Sequence, residues 1–167
     1  MNFVLCGMMG SGKTTVGKSL AKQTGFRLVD TDALIAFEYG KISELFERYG
    51  EPFFRDLEKK VAALLSEADR LVIASGGGFI LNDGVKELMQ KKGKIVYLRA
   101  KKETLLKRLK KDGERPLLEG EEPLESKVER LLSMRAEKYA QAADITVDVD
   151  GKTPDEIALE IVEKIEK

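Results

Sequence analysis

The stretch Gly7-Met-Met-Gly-Ser-Gly-Lys-Thr14 decides the fold, because it has the spacing G-x-x-x-x-G-K-[ST] of a phosphate-binding P-loop. Its glycines let the backbone curl so that successive N–H groups face phosphate oxygens. Lys13 is placed to reach the β- and γ-phosphates, and the Thr14 hydroxyl to bind Mg²⁺. An apolar strand pattern, 2–6, precedes the loop and a helical pattern, 14–22, follows it. This setting at a helix N-terminus favours nucleoside triphosphate binding over a chance glycine-rich turn.

The composition indicates one globular domain over residues 1–167. Hydrophobic residues make up 43% of the chain and charged residues 35%, and the 29 basic and 29 acidic side chains cancel. We therefore expect no nucleic-acid or membrane partner, and no run approaches the ~18 apolar residues of a membrane span. The single Cys6 is expected to be buried in a protein of the reducing cytoplasm. Since the chain has no histidine, proton transfer falls to a carboxylate, a lysine or the substrate.

Strand and helix patterns alternate along the chain. Apolar runs predict strands at 2–6, 26–29, 71–74, 95–98 and 145–147. Helical patterns predict helices at 14–22, 32–39, 43–49, from Pro52, at 83–92, 102–111 and 124–142, and from Pro154. The expected fold class is therefore α/β, a three-layer α/β/α arrangement around a five-stranded parallel sheet. The polar, proline-punctuated segment 112–123 is expected to be a mobile lid.

Three strand ends carry the candidate chemistry, because ligands bind at the carboxyl ends of parallel strands. The first strand ends in the P-loop, the second in Asp30-Thr-Asp32 and the third in Gly76-Gly-Gly78. Capping of the following helix would explain one aspartate. Two aspartates beside a nucleotide site suggest that one holds Mg²⁺ and the other accepts the proton of an attacking hydroxyl. A loose turn explains the glycines less well than a backbone that approaches a ligand closely.

Three arginines lie where they can bind an anion. Arg135 falls on the apolar stripe of the helix 124–142, and Arg55 lies off the core stripe of its helix beside two phenylalanines. A snorkelling side chain or an internal salt bridge would also explain Arg135. Otherwise both guanidinium groups suit an acceptor that has its own carboxylate or phosphate. Arg115, in the segment 112–123, is either a solvated loop charge or a lid arginine that neutralises transition-state charge.

The chain resembles shikimate kinase, a family of P-loop enzymes that phosphorylate the 3-hydroxyl of shikimate from ATP, essentially from end to end. Six segments carry the resemblance: the P-loop from Gly7 to Thr15, the D-x-D motif Asp30-Thr-Asp32, the F-R-x-x-E helix within Phe53 to Glu58, the [T/S]-G-G-G turn Ser75 to Gly78, the lid Arg115-Pro-Leu-Leu118 and the R-x-x-x-Y motif Arg135 to Tyr139. A P-loop alone is shared by many enzymes, whereas six motifs in this order are far more specific.

The resemblance implies a role for each matching position. Asp32 would bind the ring hydroxyls and act as the base, while Thr14 and Asp30 would support Mg²⁺. Arg55 and Arg135 would clamp the shikimate carboxylate. The remaining implied residues are the acceptor turn Gly76, Gly77 and Gly78, the P-loop residues Gly10, Ser11, Gly12, Lys13 and Thr15, the adenine neighbours Arg108, Lys152 and Pro154, and the lid residue Arg115. Lys13 and Arg115 would share catalysis with Asp32. Lys152 stands where some members of the family carry arginine.

We therefore expect transfer of the ATP γ-phosphate to shikimate by a cytoplasmic monomer that uses ATP and Mg²⁺. A gluconate- or nucleotide-phosphorylating P-loop kinase is the alternative enzyme. A nucleotide-dependent switch with no acceptor would leave the two arginines and the glycine turn unexplained.

Overall fold

The computed structural model describes residues 1–112 and 122–167, and these residues form a five-stranded sheet in which all neighbouring strands are parallel. The strands are β1 (Asn2–Cys6), β2 (Arg27–Asp30), β3 (Leu71–Ala74), β4 (Gly93–Arg99) and β5 (Ile145–Asp148). Their order across the sheet is β2-β3-β1-β4-β5, which places the strand before the P-loop at the centre. The predicted α/β class and parallel sheet are confirmed.

The central strands are covered on both faces, as their continuous apolar sequences predict. Every residue of β1 and of β3 is buried. In the middle of the sheet, Val4 pairs with Ile73 on one side and with Ile95 on the other, and all three are fully excluded from solvent. This rigid centre fixes the positions of the strand ends that carry the site.

Helices surround the sheet and lie next to one another in pairs. They are α1 (Lys13–Thr24), α2 (Thr31–Tyr39), α3 (Ile42–Tyr49), α4 (Glu51–Ser66), α5 (Val85–Gln90), α6 (Lys102–Asp112), α7 (Leu124–Ala142) and α8 (Pro154–Glu166). Helices α1 and α8 pack together, and they contact the sheet through β3 and β5, respectively. Helices α5 and α7 both pack against β4, and α7 also packs against α6. Helix α4 is the common neighbour of α2, α3 and α5.

Two predicted boundaries were wrong for identifiable reasons. The helix expected over 83–92 is the shorter α5, since it begins only after Gly84, which has a left-handed φ of 82°. Strand β4 is longer than the apolar run 95–98, because Gly93 pairs with β1 and Arg99 pairs with β5. Backbone pairing across the sheet therefore extends β4 beyond the apolar run from which the strand was predicted.

Across the described ranges, no helix combines the length and the apolar character needed to span a bilayer. Cys6 is buried, as predicted, and burial raises the pKa of its thiol to about 12. Most of the segment predicted as a lid, including Arg115, lies outside the described residues.

Candidate active site

The P-loop joins the central strand β1 to the start of α1. Gly10 and Gly12 take left-handed φ values of 83° and 94°, which only glycine adopts without strain. Lys13 Nζ donates hydrogen bonds to the carbonyl oxygens of Gly7, at 2.6 Å, and Met8, at 3.1 Å. The ammonium group is therefore folded over the loop itself, at the N-terminus of a helix, where the dipole favours an anion.

Ser11 shapes the loop from inside. Its backbone N–H donates to Met8 O at 3.1 Å, and its side chain is fully buried. Within residues 1–112 and 122–167, the Ser11 hydroxyl oxygen has no hydrogen-bond partner. The backbone N–H of Ser11 already donates a hydrogen bond inside the loop. The contact of Ser11 with nucleotide that the sequence indicates therefore stays a prediction.

A cleft of about 320 Å³ opens beside the loop, which is within the usual range for a small-molecule site. It is lined by Gly10, Gly12, Lys13, Thr14, Thr15, Val16, Arg108, Lys111, Pro154 and Ile157. Arg108 closes one wall, since its Nη1 donates to Ser11 O at 2.9 Å. The sequence reasoning missed Lys111, which lies one helical turn after Arg108 on α6. The signal that could have indicated Lys111 is helical periodicity, since residues three positions apart lie on the same face of a helix.

The side chain of Lys152 is paired with an acidic residue. Its Nζ lies 2.6 Å from Oε2 of Glu160, which is on α8, and the two side chains form an ion pair. The predicted contact of Lys152 with nucleotide would require that ion pair to open or to be shared, and it remains a prediction.

Asp30 holds two neighbours with its two carboxylate oxygens. Oδ2 accepts a hydrogen bond from the Thr14 hydroxyl at 3.1 Å, and Oδ1 accepts one from the N–H of Ala33 at 3.0 Å. Asp30 is therefore the N-cap of α2, whereas Asp32, which the sequence suggested for capping, lies inside the first helical turn. The Asp32 carboxylate lies against Gly76.

The Thr14–Asp30 pair fits a magnesium ion. Within the described part of the chain, no three acidic, histidine or cysteine side chains are grouped to hold a metal. Magnesium bound with nucleotide does not need such a group, because it takes one or two protein oxygens, with phosphates and waters as its other ligands. The Thr14 hydroxyl and the Asp30 carboxylate, whose oxygens lie 3.1 Å apart, would be one such pair of protein oxygens.

The half of the site that the sequence predicts for the acceptor is built around Gly76, Gly77 and Gly78. Ser75 anchors this turn to the central strand, since its hydroxyl donates to Leu5 O at 2.8 Å. The N–H of Gly76 donates to the buried Thr31 hydroxyl at 2.9 Å. These two bonds hold the ends of β3, β1 and β2 together, so the predicted convergence of the three strand ends is confirmed.

Each glycine of the turn lies against a different charged side chain. A Cβ atom on Gly76 would lie 2.5 Å from Asp32 Oδ1, and one on Gly77 would lie 3.0 Å from Arg135 Nη1. A Cβ atom on Gly78 would collide with Arg55 Nη1. Each glycine therefore lies in close approach to the end of one charged side chain, and the turn brings together Asp32, Arg55 and Arg135 from three separate helices.

Arg55 is held by a buried carboxylate. Its Nη1 lies 2.6 Å from Glu58 Oε1, and Glu58 is 1% exposed. Burial raises the pKa of Glu58, and the charge of Asp32 adds to this, while Arg55 opposes it. Burial alone would lower the pKa of Arg55, but Glu58 and Glu51 more than offset this and raise it. The pair keeps the Arg55 guanidinium charged and oriented.

Asn82 completes the support of Arg55. Its Nδ2 donates to Arg55 O at 2.7 Å and lies 3.4 Å from Glu58 Oε1. The sequence reasoning missed the role of Asn82, and it quoted Glu58 only as part of a motif. An acidic residue three positions after Arg55 is the signal for the ion pair, but no local pattern points to Asn82, which is 27 residues away.

Arg135 lies next to Tyr139, one turn later on α7. Tyr139 is fully buried and donates to Gly77 O at 2.5 Å. Burial raises the pKa of Tyr139 to about 12, although Arg135 opposes the shift. Arg135 is partly exposed and lies against Gly77, so the stripe on which it falls leads to the glycine turn and not into the core.

A nucleotide-type anion cradle and an acceptor pocket with two guanidinium groups meet at one sheet edge, which defines a P-loop kinase for a small anionic acceptor. The sequence profile of the shikimate kinase family matches residues 9–166. The chain belongs to the shikimate kinase family.

Individual relatives agree with this assignment. The shikimate kinase of Thermodesulfovibrio yellowstonii is 42% identical over 167 residues, covering 99% of this chain and 95% of that protein. The shikimate kinase of Moorella thermoacetica is 43% identical over 165 residues, covering 98% and 94%, respectively. A solved structure of shikimate kinase from Acinetobacter baumannii in complex with shikimate is 36% identical and has a TM-score of 0.91, covering 99% of this chain and 92% of that one.

Proposed function

We propose that this chain transfers the γ-phosphate of ATP to the 3-hydroxyl of shikimate, giving ADP and shikimate 3-phosphate, a step of aromatic amino acid biosynthesis. Membership of the shikimate kinase family supports this activity. The structural observation that carries the proposal is the close packing of Asp32, Arg55 and Arg135 on the glycine turn. A planar carboxylate matches the guanidinium fork, and ring hydroxyls match a carboxylate acceptor.

The reaction follows from the positions of these groups. The 3-hydroxyl oxygen forms a bond to the γ-phosphorus, while the bond from that phosphorus to the β–γ bridging oxygen breaks and ADP leaves. Asp32 accepts the hydroxyl proton, because the chain has no histidine to do so. Lys13 leaves its own loop carbonyls and stabilises the charge on the phosphates. Catalysis of this kind depends on positioning and charge stabilisation and needs little covalent help.

Thr14 and Asp30 are the residues that would hold Mg²⁺. The ion supplies positive charge to the phosphate oxygens when it is bound. The hydroxyl of Thr14 and the Oδ2 atom of Asp30 are 3.1 Å apart, so they can serve one ion, directly or through water. Asp30 also keeps its cap on α2 through the other oxygen.

We assign the other predicted residues to contacts with the nucleotide or with the acceptor. We assign the phosphates to the backbone of Gly10, Gly12 and Thr15, and the adenine to the space between Arg108 and Pro154, all of which line the same cleft. Gly77 and Gly78 face the acceptor ring. Arg115, which lies outside the described residues, is assigned to the phosphates during transfer.

We further propose a cytoplasmic monomer without nucleic-acid or membrane partners. Equal numbers of acidic and basic residues support only the lack of nucleic-acid and membrane partners, since such a chain has no net charge to attract polyanions or anionic lipid. Light scattering after size-exclusion chromatography tests the monomer directly.

A coupled ADP-release assay with shikimate, quinate, gluconate and nucleoside monophosphates tests the activity. Shikimate is expected to give turnover well above the ATPase rate measured without acceptor. Lys13→Met is the matched control, because it removes the phosphate-binding charge and is expected to lower turnover with every acceptor by a factor on the order of 10²–10³. Turnover with gluconate or a nucleotide, and none with shikimate, would contradict the proposal.

A further inference from the structure

One buried tyrosine beside the acceptor turn has no part in the chemistry above. The Tyr139 hydroxyl donates to Gly77 O at 2.5 Å, across 62 residues of sequence. Its ring packs on Tyr97, with the ring centroids 5.3 Å apart and the planes at 33°. A buried phenol generally needs a polar partner, but this one takes a carbonyl of the substrate-binding turn.

The bond joins helix α7 to the glycine turn 76–78, where Arg135 of the same helix also approaches Gly77. Helix α7 packs mainly against α6 and β4. Its polar contacts at Arg130 run to Glu122, and those at Gln141 run along the helix to Glu137. The Tyr139 hydroxyl therefore provides a direct polar tie from this helix to the turn that carries the acceptor.

The position of Arg135 is linked to the same hydrogen bond. A Cβ atom on Gly77 would lie 3.0 Å from Arg135 Nη1 and 3.7 Å from the Tyr139 hydroxyl oxygen, so both groups flank one glycine. The two residues are one helical turn apart, so the rotation and the height of α7 set both positions together. The C=O and N–H of a trans peptide point in opposite directions, so a fixed Gly77 carbonyl also fixes the direction of the Gly78 N–H.

We propose that Tyr139 is a positioning residue for acceptor binding: its hydroxyl bond to Gly77 sets the placement of Arg135 and of the Gly77–Gly78 peptide. The proposal rests on the proposed function, since it concerns the pocket for shikimate. It predicts an effect of this hydroxyl on the KM for the acceptor and not on the nucleotide site.

Tyr139→Phe tests the bond, because it keeps the ring against Tyr97 and removes only the hydroxyl. The KM for shikimate is expected to rise about tenfold, the usual effect of losing one hydrogen bond of this kind, with the KM for ATP unchanged. Tyr97→Phe is the matched control. Tyr97 is also buried, yet among the described residues its hydroxyl makes no hydrogen bond, so its loss should leave both KM values unchanged.

Two further measurements separate positioning from general packing. Tyr139→4-aminophenylalanine restores a donor at the same place and is expected to recover most of the shikimate KM; it also serves if the phenylalanine variant does not fold. In an Arg135→Lys background, the loss caused by Tyr139→Phe should shrink, because the guanidinium that it places is already gone.

An unchanged shikimate KM in Tyr139→Phe would overturn the proposal, even if the melting temperature fell. Full additivity with Arg135→Lys would overturn the route through Arg135. Failure of the wild-type enzyme to phosphorylate shikimate would refute the proposed function itself. The wild-type assay is run first, so these failures are distinguishable.

Discussion

At the scale of single residues, the three glycines of the turn lie close to charged side chains. Each glycine of the turn 76–78 lies where a methyl group would strike one charged side chain, either Asp32, Arg135 or Arg55. None of these three glycines has a left-handed φ, so alanine is permitted by the backbone at each position. Alanine substitutions therefore test close approach without adding backbone strain.

Gly76→Ala and Gly78→Ala should change different kinetic constants of the enzyme. The first displaces the Asp32 carboxylate and should lower kcat by about 100-fold, since misplacing a reacting group by 1 Å can cost this much. The second displaces Arg55 and should raise the KM for shikimate by roughly 10- to 100-fold, as for a lost charge-assisted hydrogen bond. Steady-state kinetics for both variants decides this, and identical effects on kcat and KM would contradict separate roles.

Glu58→Gln should weaken shikimate binding and change its pH dependence. Burial raises the pKa of Glu58 above its ordinary 4.5, so the carboxylate protonates and releases Arg55 earlier than usual as the pH falls. The wild-type KM for shikimate should rise through that range, and Glu58→Gln should have a high KM with no such rise. Glu51→Gln is the control: Glu51 also pairs with Arg55 but is 63% exposed, so its effect should be small.

Stability should move in the opposite direction to binding in the same pH window. An acid with a raised pKa binds more protons in the folded state than in the unfolded state. The free energy of unfolding therefore falls as the pH rises from 4.5 to the raised value. Urea denaturation at several pH values measures this, and Glu58→Gln should lose that decrease. A Glu58→Gln slope equal to that of the wild type would contradict the assignment to Glu58.

At the scale of secondary-structure elements, α8 is fixed by a complete capping box. The Thr153 hydroxyl accepts from Glu156 N at 3.2 Å, and Glu156 Oε2 accepts from Thr153 N at 2.8 Å. Pro154 follows at the first helical turn, where its missing N–H costs nothing. The helix packs on α1, the helix that carries Lys13 and Thr14, so its start supports the nucleotide side of the protein.

Thr153→Ala should lower the free energy of unfolding by about 1 kcal/mol, which corresponds to a melting temperature roughly 2–4 °C lower for a chain of this size. Thr153→Ser keeps the hydroxyl cap and should melt close to the wild type. Calorimetry of the three proteins measures the effect. Equal melting temperatures for alanine and threonine would show that α1 packing alone holds the helix.

Elements with a local pattern were predictable, and those set by distant partners were not. The P-loop and the three strand ends follow from spacing and apolar runs that lie within a few residues. The helical pattern 32–39 begins one residue later than α2, which starts at Thr31 and is capped by Asp30, so the pattern does not reveal which aspartate is the cap. The bond from Tyr139 to Gly77 spans 62 residues, and no periodicity encodes a partner at that distance.

At the scale of the whole molecule, the central strand separates two half-sites. The nucleotide cleft lies between the P-loop, α6 and α8, whereas the acceptor pocket lies between the glycine turn, α2, α4 and α7. Different helices therefore carry the groups that we assign to the two substrates. Substitutions in one half should leave binding in the other half largely intact.

Lys13→Met and Arg135→Lys should show this separation. Lys13→Met should lower turnover by a factor on the order of 10²–10³ while keeping shikimate binding in the absence of nucleotide. Arg135→Lys keeps the charge but loses the planar fork, so it should weaken shikimate binding while keeping ADP binding. Calorimetric titration measures both, with Arg130→Lys as the control, since Arg130 lies on the same helix and pairs with Glu122. Loss of shikimate binding in Lys13→Met would contradict separate half-sites.

The turn 76–78 also constrains how this protein can evolve. Single substitutions there are expected to weaken function, because each would shift the end of a charged side chain that we assign to the acceptor. A change of acceptor must therefore begin on the helices that face the turn, where a side chain can be exchanged without moving its neighbours. A selection for a new acceptor should collect its first substitutions on α2, α4 and α7, and leave the three glycines as they are.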